Sequence, residues 1–163
     1  MRWLTGLRAL IYATGFLAFW GWLALSAQRL DRQVGVQLPP ASRPVGAIAI
    51  VLGGLLVLAC VAVFVVRGRG TPAPFDPPRE FVAVGPYRIV RNPMYVGGLL
   101  VLAGFALWRR SPSILALAVV FVLAAHLFVV LFEEPQLERR FRASYLLYKQ
   151  TVRRWLPRWR RSR

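Results

Sequence analysis

Cysteine and histidine each occur once in this chain of 163 residues, and acidic residues number six against 22 lysines and arginines. The single cysteine, Cys60, excludes a disulfide framework. With only His126 to add to it, zinc, haem and dinuclear metal centres lack their usual protein ligands, so no metal is expected. No Gly-x-Gly-x-x-Gly follows a strand and there is no phosphate-loop motif, so any nucleotide-like cofactor needs another architecture. The scarcity of carboxylates leaves a net charge of +16. The basic residues flank apolar runs without forming a nucleic-acid motif, which points to membrane lipid headgroups rather than nucleic acid as partner.

What is abundant is apolar: 57% of the residues are hydrophobic, and they are concentrated in long unbroken stretches. Uncharged runs cover 9–28, 45–66, 92–108 and 111–132, each close to the roughly 20 residues needed to cross about 30 Å of hydrocarbon as a helix. Val45 to Val66 is apolar on every face, which suits a helix and not the alternating strand of a barrel. Cys60 lies inside this run and reads as a small buried side chain. The expected fold is an all-α integral membrane protein, one domain over 1–163, with about four transmembrane helices.

Arg2 and Arg8 precede the first run, but its apolar core is long and Ala27-Gln28 is a poor cleavage context, so it reads as a mature helix. With four spans both termini share a side with the 67–91 connection, and those segments carry 17 of the basic residues. The opposite connections carry Arg29, Arg32, Arg43, Arg109 and Arg110. The positive-inside rule then places the N-terminus, the middle loop and the C-terminus in the cytoplasm.

The middle loop is rich in proline from Pro72 to Pro78 and leads through Gly85-Pro86-Tyr87 to Asn92-Pro93, where Asn suits an N-cap and Pro the first helical turn. After the fourth run the chain turns polar at Glu133-Glu134-Pro135. An amphipathic helix is expected over 136–150, with Leu137, Phe141, Tyr145 and Tyr148 on one face. It is either an interfacial helix or a lid over a site. The tail, 151–163, mixes arginines with Trp155, Leu156 and Trp159, as suits a segment at the headgroup level.

Two adjacent glutamates beside a span call for a cationic partner. His126 lies seven residues before Glu133, two helical turns away on nearly the same face. An intramembrane histidine invites a functional reading alongside a structural one as an interhelical hydrogen-bonding group.

Two segments, Gly85-Pro86-Tyr87-Arg88-Ile89-Val90-Arg91-Asn92-Pro93-Met94-Tyr95-Val96-Gly97 and Glu133-Glu134-Pro135 through Phe141, Tyr145 and Tyr148 to Trp155-Leu156-Pro157, resemble the isoprenylcysteine carboxyl methyltransferase and phospholipid methyltransferase families. The resemblance covers about 81 to 159. It implies an S-adenosylmethionine-dependent methyltransferase acting on a lipid-like, amphipathic or prenylated acceptor at the cytoplasmic membrane face.

By that resemblance Arg91 and Glu134 are the catalytic candidates, and Gly85, Tyr87, Arg91, Asn92, Tyr95, Gly97, His126, Glu133 and Glu134 would hold the cofactor. Glu133 or Glu134 would receive its amino group, and Arg91, Asn92 and the amides opening the third span its carboxylate. Tyr87 and Tyr95 would pack on the adenine or sulfonium. Tyr145 and Tyr148 would close the substrate side. Gly85 and Gly97 also have plain readings, as a turn before Pro86 and as a point of close helix packing.

Family members often carry His where Asn92 stands, a Gly and acidic residues where Arg142-Ala143-Ser144 stands, and Pro where Arg153 stands. A membrane reductase of related fold using a nicotinamide cofactor, and a non-catalytic membrane subunit in which these charges form ion pairs, are the competing readings.

Overall fold

In a computed structural model of the chain, residues 2–68 and 81–157 are described. The proline-rich stretch from Pro72 to Pro78 and the tail beyond Pro157 lie outside them. Helix α1 covers Arg2–Gln28, and a single turn, α2, covers Asp31–Val34. Helix α3, Ser42–Val63, runs on into a π-helical turn at Phe64–Gly68. A 3₁₀ turn at Gly85–Arg88 precedes α4, Pro93–Arg109, and α5, Pro112–Phe128. A π-helical turn at Val129–Glu133 then joins α5 to α6, Glu134–Thr151. Among the described residues there is no strand.

Two continuous helical runs, Ser42–Arg67 and Pro112–Thr151, are long and apolar enough to cross a membrane, and Pro93–Arg109 is a shorter apolar helix. Their apolar side chains point outward: Val45, Ile48, Val51, Leu52, Leu55 and Leu58 of α3 are all exposed, as are Val119, Val120 and Leu123 of α5. A water-soluble fold does not leave so continuous an apolar surface uncovered, and lipid is the solvent that accounts for it.

Helices α3 and α4 touch backbone to backbone. A Cβ built on Gly46 would stand 2.6 Å from the Gly104 carbonyl oxygen, and one on Gly53 would stand 2.6 Å from that of Gly97. The converse distances are 2.8 Å from Gly104 to the Gly46 oxygen and 3.0 Å from Gly97 to the Gly53 oxygen. Small residues permit this approach, and dispersion and weak Cα–H···O contacts then hold the pair where lipid supplies no hydrophobic drive. On the other side of α4, Leu102 and Ala106 pack with Ile114, Ala118 and Phe121 of α5 and Ala24 of α1. The Trp20 ring stands edge-on to Phe121 with centroids 4.9 Å apart.

The turn between α4 and α5 is tight. Arg110 takes a left-handed conformation (φ 58°) and Ser111 caps α5 by accepting from the Ile114 amide at 3.1 Å. Asn92, by contrast, occupies the position before α4 but makes no cap with its side chain. Its amide instead donates to the Arg154 carbonyl at 3.3 Å, so the N-cap expected there is replaced by a tether to the C-terminal segment.

The fourth run and the helix expected over 136–150 are joined, for the helix continues from Pro112 to Thr151. Pro135 has no N–H to give the ladder, and the π-helical turn just before it takes up the misfit. The interruption falls later, at Arg142 (φ 42°, ψ −118°), where α6 kinks.

Candidate functional site

The charged cluster forms where the C-terminal ends of α3 and α5 meet the N-terminal end of α4. Gly85, at φ +59°, makes the left-handed turn that admits Pro86 and starts the 3₁₀ turn, and a Cβ there would meet the Val63 side chain at 3.1 Å. The turn directs Tyr87 inward beside Cys60 and Val82, its ring edge-on to Phe64 at 5.3 Å. Four residues on, Arg91 and Asn92 enter the interior. The returning chain runs alongside them, the Arg91 amide donating to the Arg153 carbonyl at 2.8 Å and the Asn92 amide to that of Arg154 at 3.3 Å.

Glu134 is the centre of the cluster and is only 5% exposed. Arg154 binds it in a two-pronged fork, Nε to Oε1 at 2.7 Å and Nη2 to Oε2 at 2.9 Å. The Arg91 Nη2 lies 3.1 Å from Oε1, and the Lys149 Nζ 3.9 Å from Oε2 while also pairing with Glu138. Both glutamates lie past the apolar run that ends at Phe132. Burial pushes the Glu134 carboxyl up, but the Arg154 hydrogen bonds and the charges of Arg91, Arg154 and Lys149 outweigh it and hold the group below the ordinary carboxylate value. Glu133 goes the other way: burial and the neighbouring Glu134 charge raise it against the lowering effect of a hydrogen bond from the Tyr95 hydroxyl, 2.9 Å from Oε2.

Arg91 is left with unused chemistry. Its Nε and Nη1 are buried and have no acceptor among the described residues. Buried guanidinium donors are costly without a partner, and the oxygens of an anionic group are acceptors that suit them.

The aromatic face expected on the C-terminal helix turns inward. Phe141, Tyr145 and Tyr148 surround the Phe81 ring at centroid distances of 5.3, 5.9 and 5.2 Å. The Tyr148 hydroxyl donates to the Tyr87 carbonyl at 2.6 Å. Leu146 and Leu147 occupy the exposed side. Tyr145 and Tyr148 therefore cover the loop that carries Tyr87.

The structure brings Tyr87, Arg91, Asn92, Tyr95, Glu133, Glu134 and Tyr148 into one connected region. Gly97 stands apart from it in the α3–α4 seam, where a Cβ would meet the Val57 side chain at 2.8 Å, so the close approach it permits is between helices. His126 is exposed on α5, at the edge of the cluster. Its Nδ1 accepts from the Trp155 Nε1 at 3.2 Å, and the Trp155 ring in turn stands edge-on to Tyr95 at 6.3 Å. Arg154, Lys149 and Trp155 are the participants that the residue types alone did not single out. A cationic partner for the glutamate pair was expected, and Arg154 and Arg91 supply it for Glu134.

A family model for phospholipid methyltransferases matches residues 42–144, from the start of α3 to just past the kink in α6. Over 63 residues the chain is 38% identical to an uncharacterized protein of Haemophilus influenzae (strain ATCC 51907 / DSM 11121 / KW20 / Rd), a stretch that is 39% of this chain and the whole of that relative. No solved structure matches.

Proposed function

Because this chain belongs to the phospholipid methyltransferase family, we propose that it transfers a methyl group from S-adenosylmethionine to a lipid-like or isoprenylcysteine-like acceptor at the cytoplasmic membrane face. The whole chain acts as one membrane unit on this reading, crossing four times with α1, α3, α4 and α5 and keeping both termini on the side of the Glu134 cluster. The observation that carries it is Arg91: a buried guanidinium, fixed by Glu134 on one nitrogen, presents two further donors with no acceptor among the described residues.

The residues present fit the cofactor's polar end. Its carboxylate would accept from one of the two open Arg91 donors, Nε or Nη1, and its ammonium would pair with the Glu133 carboxylate, with Tyr95 orienting that carboxylate by hydrogen bond. Tyr87, Tyr95 and Trp155 supply aromatic surface for adenine or the sulfonium, since a cation is attracted to a ring face. When bound, S-adenosylmethionine supplies an activated methyl group that is open to direct displacement.

This chain's own task is then to align and to exclude water. Glu134 contributes by fixing Arg91 and by holding the C-terminal segment through Arg154, and the Phe81, Tyr145 and Tyr148 cluster covers the approach from solvent. An ionised carboxylate acceptor needs no base. A protonated amine must first lose its proton, and Glu133, the carboxyl whose surroundings raise it, is better suited to take that proton than Glu134.

Calorimetric titration of the detergent-purified protein with S-adenosylmethionine and S-adenosylhomocysteine tests the reading. Binding that is weakened by Glu133→Gln, with the fold intact by thermal melting, supports it. Absence of binding by well-folded protein, repeated in lipid nanodiscs, would leave the cluster as a set of structural ion pairs.

A further inference from the structure

Five arginines lie away from the Glu134 cluster, at the other end of the helices: Arg29, Arg32, Arg43, Arg109 and Arg110. The charge asymmetry of membrane proteins accounts for arginines around Glu134, but it leaves these five unexplained. Helix α4 begins at the one group and ends at the other, so about 25 Å of helix axis separates them.

The fold gathers all five around two adjoining concavities of about 500 and 430 Å³. Arg29 and Arg32 line the first, Arg43 the second, and Arg109 and Arg110 both. None of the five makes an ion pair among the described residues. Two are held in place by neutral acceptors: Arg109 donates from Nε and Nη2 to the Gln28 Oε1 at 3.1 and 2.9 Å, and Arg110 from Nε to the Leu38 carbonyl at 2.7 Å. Their charges are thus positioned without being neutralised. Asp31, the one carboxylate lining the concavities, accepts from the Ser113 amide at 3.0 Å and serves to dock α2 on α5.

We propose that this arginine-lined concavity binds the phosphate of an anionic phospholipid headgroup, at the end of the molecule opposite the methyl-transfer site. Converging guanidinium groups are suited to phosphate oxygens. Two features favour a lipid over a free phosphate ion. Trp108, half exposed, lines the second concavity, as aromatic side chains do at headgroup level, and the exposed Leu25 and Val36 line the adjoining first one and offer an apolar path for acyl chains. The inference rests on the bilayer placement of the apolar helices and not on the identity of the reaction.

Native mass spectrometry of the full-length protein, titrated in detergent with short-chain phosphatidylglycerol or phosphatidylcholine, tests it. Wild-type protein should retain phosphatidylglycerol preferentially. The Arg29→Gln/Arg32→Gln/Arg43→Gln variant should weaken that binding about fivefold for each arginine removed. These three side chains make no hydrogen bond among the described residues, so folding should survive, and Arg32→Gln alone gives a second reading of about fivefold if it does not.

Arg160→Gln/Arg161→Gln, in the basic tail, should leave the preference in place. Equal retention of the two lipids, or unchanged phosphatidylglycerol binding in both cavity variants, would overturn the proposal. Full displacement of phosphatidylglycerol by an equal concentration of inorganic phosphate would overturn the choice of a lipid.

Discussion

Arg154 and Glu134, twenty residues apart on opposite sides of the α6 kink, meet in a two-pronged ion pair with bonds of 2.7 and 2.9 Å. The pair closes a loop: α6 leaves the cluster at Glu134 and the chain returns to it at Arg154, beside Asn92. The contact that orients Arg91 therefore also anchors the C-terminal segment, and the first consequences concern stability.

Glu134→Gln should lower stability by about 3 kcal/mol, because removing one partner of a buried ion pair leaves the other charge uncompensated. Arg91 has nearly no solvent to turn to. A clear fall in thermal midpoint in detergent is the expected outcome, together with easier proteolysis after Thr151. A midpoint unchanged within error would mean that Arg91 and Arg154 find other partners.

The same carboxyl sets an acid limit. Its folded-state value lies below the ordinary one, so its contribution is fully present above the ordinary carboxylate value and is lost as pH falls through the depressed folded value. Thermal midpoints recorded from pH 7 down to pH 3 should decline on the acid side. The decline should be shallower in Glu134→Gln, which has no proton to take up.

Arg91→Lys separates the ion pair that Arg91 makes with Glu134 from the cofactor contact proposed for it. A lysine keeps a charge for Glu134 but loses the fixed guanidinium donors Nε and Nη1. The thermal midpoint should move little while affinity for S-adenosylhomocysteine falls by tenfold or more, the effect of about 1.5–3 kcal/mol for a hydrogen bond to a charged group. Calorimetry on the variant reads this directly, and unaltered affinity would remove Arg91 from the cofactor site.

In the helix seam, Gly53→Ala places a Cβ 2.6 Å from the Gly97 carbonyl oxygen, whereas Gly54→Ala, one residue along, meets nothing within 4 Å. The first should destabilise by about 1–3 kcal/mol through overpacking. The second should be neutral or slightly stabilising, because alanine is the better helix former. Parallel melting curves of the two variants test the close approach of α3 and α4.

Long apolar runs are visible in composition, and so the helices could be read closely from the residues: the 92–108 run becomes Pro93–Arg109, and 45–66 lies within Ser42–Gly68. The need of Glu133 and Glu134 for polar partners was likewise readable, because two acids at the edge of an apolar run must be compensated. Which arginine answers Glu134 was not. Arg153 and Arg154 sit in a tail whose composition suits lipid headgroups, and the tether that turns Arg154 inward is made largely of backbone hydrogen bonds, which leave no mark in residue type. Asn92 misled for a related reason, since the side chain that fits an N-cap also fits a tether. The glycine seam did leave a trace, in the seven-residue spacing from Gly46 to Gly53 and from Gly97 to Gly104, but the pairing of the two series is a property of the packed helices.

That seam also bears on the bilayer itself. Helix α4, with 17 residues, is about 26 Å long and falls short of the roughly 30 Å of hydrocarbon in a typical membrane. Its partner, the 26-residue run Ser42–Arg67, is longer than that thickness. On the proposed four-span reading, in which α4 crosses the bilayer, backbones in contact cannot slide past one another to share the difference, so the long helix would tilt and the lipid would thin beside the short one. Local thinning would draw both headgroup planes toward the ends of α4, bringing the water boundary to Asn92 at one end and to Arg110 at the other.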